Sequence, residues 1–124
     1  MRQTKYRSWI SSIQQFVYFK NGNYSWKRKT DDVNVFNWDN AQQFTGLLDK
    51  QGVEIYEGDI VKATYGTVLN SDWTQGEVSL EYYSWCLTRN GMAYDTFDNL
   101  LDENCSFEVI GNIYENSELL GESK

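Results

Sequence analysis

The chain has 124 residues and a formal net charge of −7; 40% of its side chains are hydrophobic and 16% aromatic, with two cysteines and no histidine. That length fits one domain, the apolar and aromatic content is too high for a disordered segment, and no apolar run approaches the roughly 20 residues of a membrane-spanning helix. The lack of histidine excludes Ser-His-Asp and Cys-His nucleophiles, the usual zinc enzymes and most proton shuttles.

In chain order, Tyr6, Ser8 and Ile10 alternate with Arg7 and Trp9, and Phe16-Val17-Tyr18-Phe19 follows a polar stretch, Ser11 to Gln15. This predicts an N-terminal hairpin. Asn21-Gly22-Asn23 reads as a turn, because Gly and Asn tolerate positive φ. Val33, Val35, Phe36 and Trp38 suggest one irregular strand. Asp49 to Gly52 is a second turn before a short strand at Val53–Tyr56, and Glu57-Gly58-Asp59 a third, leading into a strand from Ile60 to Tyr65.

Strand patterning continues at Gly66 to Val68 and from Gly76 to Leu87, where Val78, Leu80 and Tyr82 form the dry face against Glu77, Ser79 and Glu81. Asn90-Gly91 marks a hairpin between Tyr82–Thr88 and Met92–Tyr94. Phe97, Leu100 and Leu101 have helical spacing, with Asp95 or Thr96 as N-cap. Phe107 to Tyr114 is a last strand, and Ser117 to Leu120 a short helical turn. Short strands divided by turns predict a mainly β domain, a small β-barrel or sandwich with minor helix, with Ile55, Ile60, Val61, Val109, Ile110 and Ile113 in its core.

Charge divides sharply along the chain. Residues 1–30 hold Arg2, Lys5, Arg7, Lys20, Lys27, Arg28 and Lys29 and no acid; residues 31–124 hold all 18 acids against the remaining 4 bases. The basic start is followed by no apolar stretch of about 7–15 residues, so no secretory signal is expected. Cys86 and Cys105 read as free, buried thiols of a reducing compartment.

Two stretches resemble the YopX family of phage and prophage proteins: Phe44-Thr-Gly-Leu-Leu-Asp-Lys-Gln-Gly-Val-Glu-Ile-Tyr-Glu-Gly-Asp-Ile-Val61, and Phe107-Glu-Val-Ile-Gly-Asn-Ile-Tyr-Glu-Asn-Ser-Glu-Leu-Leu120. The opening Tyr6-Arg7-Ser8-Trp9 with Phe16-Val17-Tyr18-Phe19 resembles the family's start, while 20–40 and 63–105 are divergent. Ser117 stands where the family usually has proline. The resemblance implies one YopX-like domain over 1–124 (a basic N-terminal segment, 1–30, and a motif-bearing barrel-like segment, 41–124), a phage origin, a barrel-like fold and a location in the host cytoplasm. It implies no catalytic residues, metal ligands or cofactor.

Within those motifs, Gly46, Gly52 and Gly58 permit turns, and Asp49 and Asp59 hydrogen-bond turn amides. Glu57 with Asp59, or Asp102 with Glu103, supplies paired carboxylates, but acids at turns are ordinarily solvated and catalysis is not expected.

Asp95, Asp98, Asp102 and Glu103 belong to a run of eight acids without a base between Arg89 and Lys124. Such a face either only solubilises the protein or stands in for phosphates in a host factor, a defence nuclease for example, as anti-CRISPR inhibitors do. Lys27, Arg28 and Lys29 beside Tyr24 and Trp26 form the alternative, a basic patch with stacking rings for nucleic acid. The sequence pI near 4.5 weighs against that alternative. Twenty aromatics exceed one small core and imply protein contact or a homo-oligomer. The reading is thus a protein-binding module for a host or phage partner, without membrane association.

Overall fold

The computed structural model describes residues 5–20, 23–26, 38–65, 72–81, 83–89, 91–97 and 105–121. Ten strands form two antiparallel sheets. The first, in the order β3-β2-β1-β4-β5, is made by β1 (Lys5–Ile10), β2 (Gln15–Lys20), β3 (Asn23–Trp26), β4 (Gln42–Leu48) and β5 (Glu54–Tyr56). The second, in the order β10-β6-β7-β8-β9, is made by β6 (Asp59–Tyr65), β7 (Asp72–Glu81), β8 (Ser84–Arg89), β9 (Met92–Thr96) and β10 (Ser106–Asn112). One of the sheets curls into a half-barrel, and the helical structure among the described residues is confined to short turns, chiefly at Trp38–Asn40 and Ser117–Gly121. None of these is long and apolar enough to cross a membrane.

The N-terminal hairpin forms as its alternation predicts, with Trp9 opposite Phe16 and Arg7 opposite Tyr18. Trp9 stacks on Tyr114, in the turn that follows β10, at 5.4 Å, and Phe16 meets the same ring edge-on at 6.0 Å. Ile55 from the first sheet joins Val61, Ala63, Val78, Leu87, Phe97 and Phe107, on or beside strands of the second, in the buried core. Among the described aromatics Trp9, Phe16, Tyr56, Phe97 and Phe107 are buried, the last two meeting edge-on at 4.9 Å.

Of the six expected core residues, Ile55, Ile60 and Val61 are fully buried, whereas Val109, Ile110 and Ile113 are half-buried. The reason is position: β10 is an edge strand whose register slips between Val109 and Gly111, putting Ile110 at a bulge, and Ile113 lies in the following turn. The dry face expected from Gly76 to Leu87 also needs correction. The chain reverses after Glu81, so that Leu80 pairs with Trp85 at a hairpin end and stands 44% exposed.

The expected hairpin forms between β8 and β9, with Arg89 opposite Met92 and Gly91 at φ 77°, while Asn90 lies outside the described residues. Cys86 and Cys105 are free thiols, and burial pushes the Cys86 thiol up. Trp38 begins a short helical turn rather than ending a strand. The expectations at Asn21-Gly22, Val33, Val35, Phe36, Gly66 to Val68, Tyr82, Leu100 and Leu101 lie outside the described residues.

Candidate functional site

The three stretches that carry the family resemblance converge on one cleft between the sheets, of about 290 Å³. Its described lining comes from Arg7, Phe16 and Tyr18, from positions 53 to 59, and from positions 109 to 115; none of it comes from the divergent segments 20–40 and 63–105. Arg7 is the hub. β1 directs its side chain across the sheet interface, where the guanidinium lies 4.1 Å from the Phe16 ring centroid and 4.8 Å from that of Tyr56. Nε donates to Gln42 Oε1 at 2.7 Å; Nη2 donates to Asp59 Oδ1 at 2.7 Å and to the Glu57 carbonyl at 3.3 Å.

The turn at 57–58 brings two of these acceptors, the Glu57 carbonyl and Asp59, to Arg7. Gly58 has φ 84°, and a Cβ there would run into the Gln42 side chain that Arg7 holds. Asp59 uses its second oxygen to accept the Tyr56 amide at 2.8 Å. Asp59 is only 2% exposed and Glu57 half-buried, so the expectation of solvated turn carboxylates is corrected: Asp59 is an interior ion-pair partner. Lys5 pairs with Glu54, which also accepts the Tyr56 hydroxyl at 3.4 Å. Burial first, and then the Glu54 carboxylate, push the Tyr56 hydroxyl well above its usual value, so it remains a donor.

Behind the cleft, Asp49 locks the next turn to β10. Its Oδ1 accepts the amides of Gln51 at 2.8 Å and Val53 at 2.9 Å, and its Oδ2 accepts that of Val109 at 3.0 Å. Burial works to raise this carboxyl, but the three amides overcome it and hold it below the ordinary value.

A second concavity, about 720 Å³, lies between β4 and the tip of the β7–β8 hairpin. Its β4 wall runs from Gln43 to Gly46, and its hairpin wall is Leu80, Tyr83 and Trp85. β4 buckles here: its register with β5 shifts between Phe44 and Leu48, Gly46 takes φ 87°, and Thr45 Oγ1 donates to the Ile55 carbonyl at 2.8 Å. Tyr83 sits in the hairpin turn at φ 67° and is 99% exposed. Glu57, bonded to groove residue Gln43 through both backbone and side chain, stands near Glu77. Burial and then the Glu57 charge raise the Glu77 carboxyl, and neither acid makes an ion pair among the described residues.

The residues singled out as sites in the sequence fall elsewhere. Asp95 lies in β9, half-buried, and its Oδ1 accepts the adjacent Thr96 amide at 3.0 Å. Asp98, Asp102 and Glu103, like Lys27, Arg28 and Lys29, lie outside the described residues. Tyr24 and Trp26 are placed by their backbone on β3, opposite Phe19 and Val17. Among the described residues no cluster of three or more Cys, Asp or Glu is placed to hold a metal ion. Sequence reasoning missed Arg7 and Tyr83. Arg7 had a signal, a base that shares its strand parity with the buried Trp9; Tyr83 had none beside the turn it occupies.

Two antiparallel sheets clasped around an arginine-centred cleft define a small, mainly β domain. The family model described as YopX protein matches residues 5–121, and the chain belongs to that family. The chain is also similar to protein EF1440 from Enterococcus faecalis, known from a crystal structure. The likeness has a TM-score of 0.54 at 22% identity and covers 94% of this chain and 97% of that one. At that identity the likeness speaks for the fold alone. None of the curated proteins matches the chain.

Proposed function

We propose that this protein is a non-catalytic phage or prophage accessory module that binds a host protein and modulates or inhibits it. Its contact face is the groove between β4 and the β7–β8 hairpin. The observation that carries the reading is Tyr83, a bulky side chain held at φ 67° and 99% exposed. Left-handed backbone costs a residue with a Cβ about 1–2 kcal/mol, and Gly or Asn serves a two-residue hairpin better. A strained turn that displays an aromatic, flanked by a 44% exposed Leu80, favours recognition over folding as its purpose.

Tyrosine and tryptophan dominate the energetics of protein interfaces. The net charge of −7 adds steering toward a basic partner, and a nucleic-acid channel of a defence nuclease is the finer form of this reading. A photo-crosslinking amino acid placed at position 83 of the full chain, expressed in the host, tests it. One host protein captured by the wild-type face and lost in a Leu80→Asp background supports the proposal. Capture of nucleic acid alone, of a second copy of this chain alone, or of nothing by the folded protein, overturns it.

A further inference from the structure

The geometry points to a small-molecule site separate from the groove: the cleft at Arg7 takes a neutral, planar ligand with a lactam edge, a carbonyl oxygen beside a ring N–H, as in uridine or guanosine. Arg7 is 5% exposed and lines the cleft. Its Nε and Nη2 are committed to Gln42, Asp59 and the Glu57 carbonyl, while Nη1 makes no hydrogen bond among the described residues. Nη1 is not among the buried side-chain atoms left without a partner, so it is reachable from the cleft and can donate to a ligand oxygen there.

Charge then selects the ligand class. Asp59 neutralises Arg7, and Lys5 neutralises Glu54, which leaves Glu115 at the mouth with one oxygen accepting the Asn112 amide at 2.9 Å. An anion entering here meets the carboxylates of Glu54, Asp59 and Glu115; a cation meets the inner face of Arg7. A neutral group with an acceptor for Arg7 and a donor for Glu115 satisfies both ends. The rings of Phe16, Tyr18 and Tyr56 supply the walls that favour a flat ligand. The 290 Å³ volume lies at the small end of the usual ligand range of about 300–1,000 Å³.

Titration of the full chain with uridine, guanosine, adenosine and uridine monophosphate, followed by NMR at the Arg7 Nε–Hε group, tests this. Uridine or guanosine is expected to give saturable shifts, at least about ten-fold tighter than adenosine, which lacks the carbonyl, or than the monophosphate, which adds charge; one hydrogen bond to a charged partner sets that scale. Glu115→Gln and Tyr18→Leu should each weaken binding several-fold, with an unchanged urea midpoint for Glu115→Gln showing that the fold is intact. Tyr83→Gly should leave nucleoside binding unaltered, so this site and the protein-binding face stand or fall separately. No saturable shift with either lactam nucleoside, equal response to adenosine, tighter binding of the monophosphate, or indifference to Glu115→Gln, overturns the assignment.

Discussion

Arg7 in β1 and Asp59 at the start of β6 are 52 positions apart in sequence and 2.7 Å apart in space, their side chains 6% and 3% exposed. This ion pair ties the first sheet to the second where the Glu57-Gly58 turn carries the chain from one to the other. Buried pairs are not strong sources of stability in themselves, because desolvation offsets much of the attraction. Their consequence is asymmetric, since removing one partner strands the other.

Arg7→Met is therefore expected to destabilise the fold by about 3–5 kcal/mol in urea unfolding at pH 7, because Asp59 is left charged and buried. The double variant Arg7→Met/Asp59→Asn should recover a substantial share of that loss. A single-variant cost under about 1 kcal/mol would show that water reaches Asp59 freely and that the pair is not the clasp argued from its burial.

Asp49 gives a pH signature. Its folded pKa is depressed, so its contribution is fully present above the unfolded value and is lost as pH falls through the folded one, below the usual 3.8. Asp49→Asn should cost about 1.5–3 kcal/mol at pH 7, the scale of hydrogen bonds to a charged group. The gap to the wild type should narrow as acid protonates the carboxylate. A gap that stays constant from pH 7 down to pH 2 is the contrary result.

Glu77 has the opposite sign. Its folded pKa is raised by burial and by the nearby Glu57 carboxylate, so the charged form is disfavoured in the folded state and the penalty is complete only above the folded value. Glu77→Gln should raise the melting temperature at pH 7, with the gain fading as pH falls toward 4.5, the ordinary value. A variant that melts no higher than the wild type at pH 7 refutes the claim that the fold disfavours the charged Glu77 carboxylate.

Much of the architecture was legible because alternation and turn chemistry are local. Trp9 against Phe16, the 49–52 turn and the Asn90-Gly91 hairpin each follow from residues within a few positions of one another. What escaped was non-local or context-set. Glu57 and Asp59 look alike as turn acids, and only the arrival of Arg7 from 52 residues upstream makes Asp59 an interior group. Likewise Val78 and Leu80 have the same parity on β7, yet the hairpin ends just beyond Leu80 and leaves it 44% exposed while Val78 is buried. The charge blocks at 27–29 and 98–103 signalled a surface, and a surface alone does not specify what touches it.

Tyr83 sets stability against recognition, and one substitution separates the two. Its φ of 67° is a conformation in which glycine loses the Cβ clash at no cost in packing, because the tyrosine ring is 99% exposed and buries almost nothing. Tyr83→Gly removes that strain but loosens the unfolded chain, which offsets some of the gain. The net expectation is a fold stabilised by up to about 1 kcal/mol in urea unfolding. If the groove is the contact face, the same change deletes an aromatic anchor and should weaken the partner by at least about ten-fold in Kd, a typical interface hot-spot loss. Tyr83→Asn, which also tolerates positive φ, should behave alike in both assays, whereas Tyr83→Phe should keep the partner and leave the strain. Unfolding curves and partner titrations on the three variants decide the matter: if Tyr83→Gly leaves affinity within two-fold of the wild type, the hairpin tip is not the binding surface.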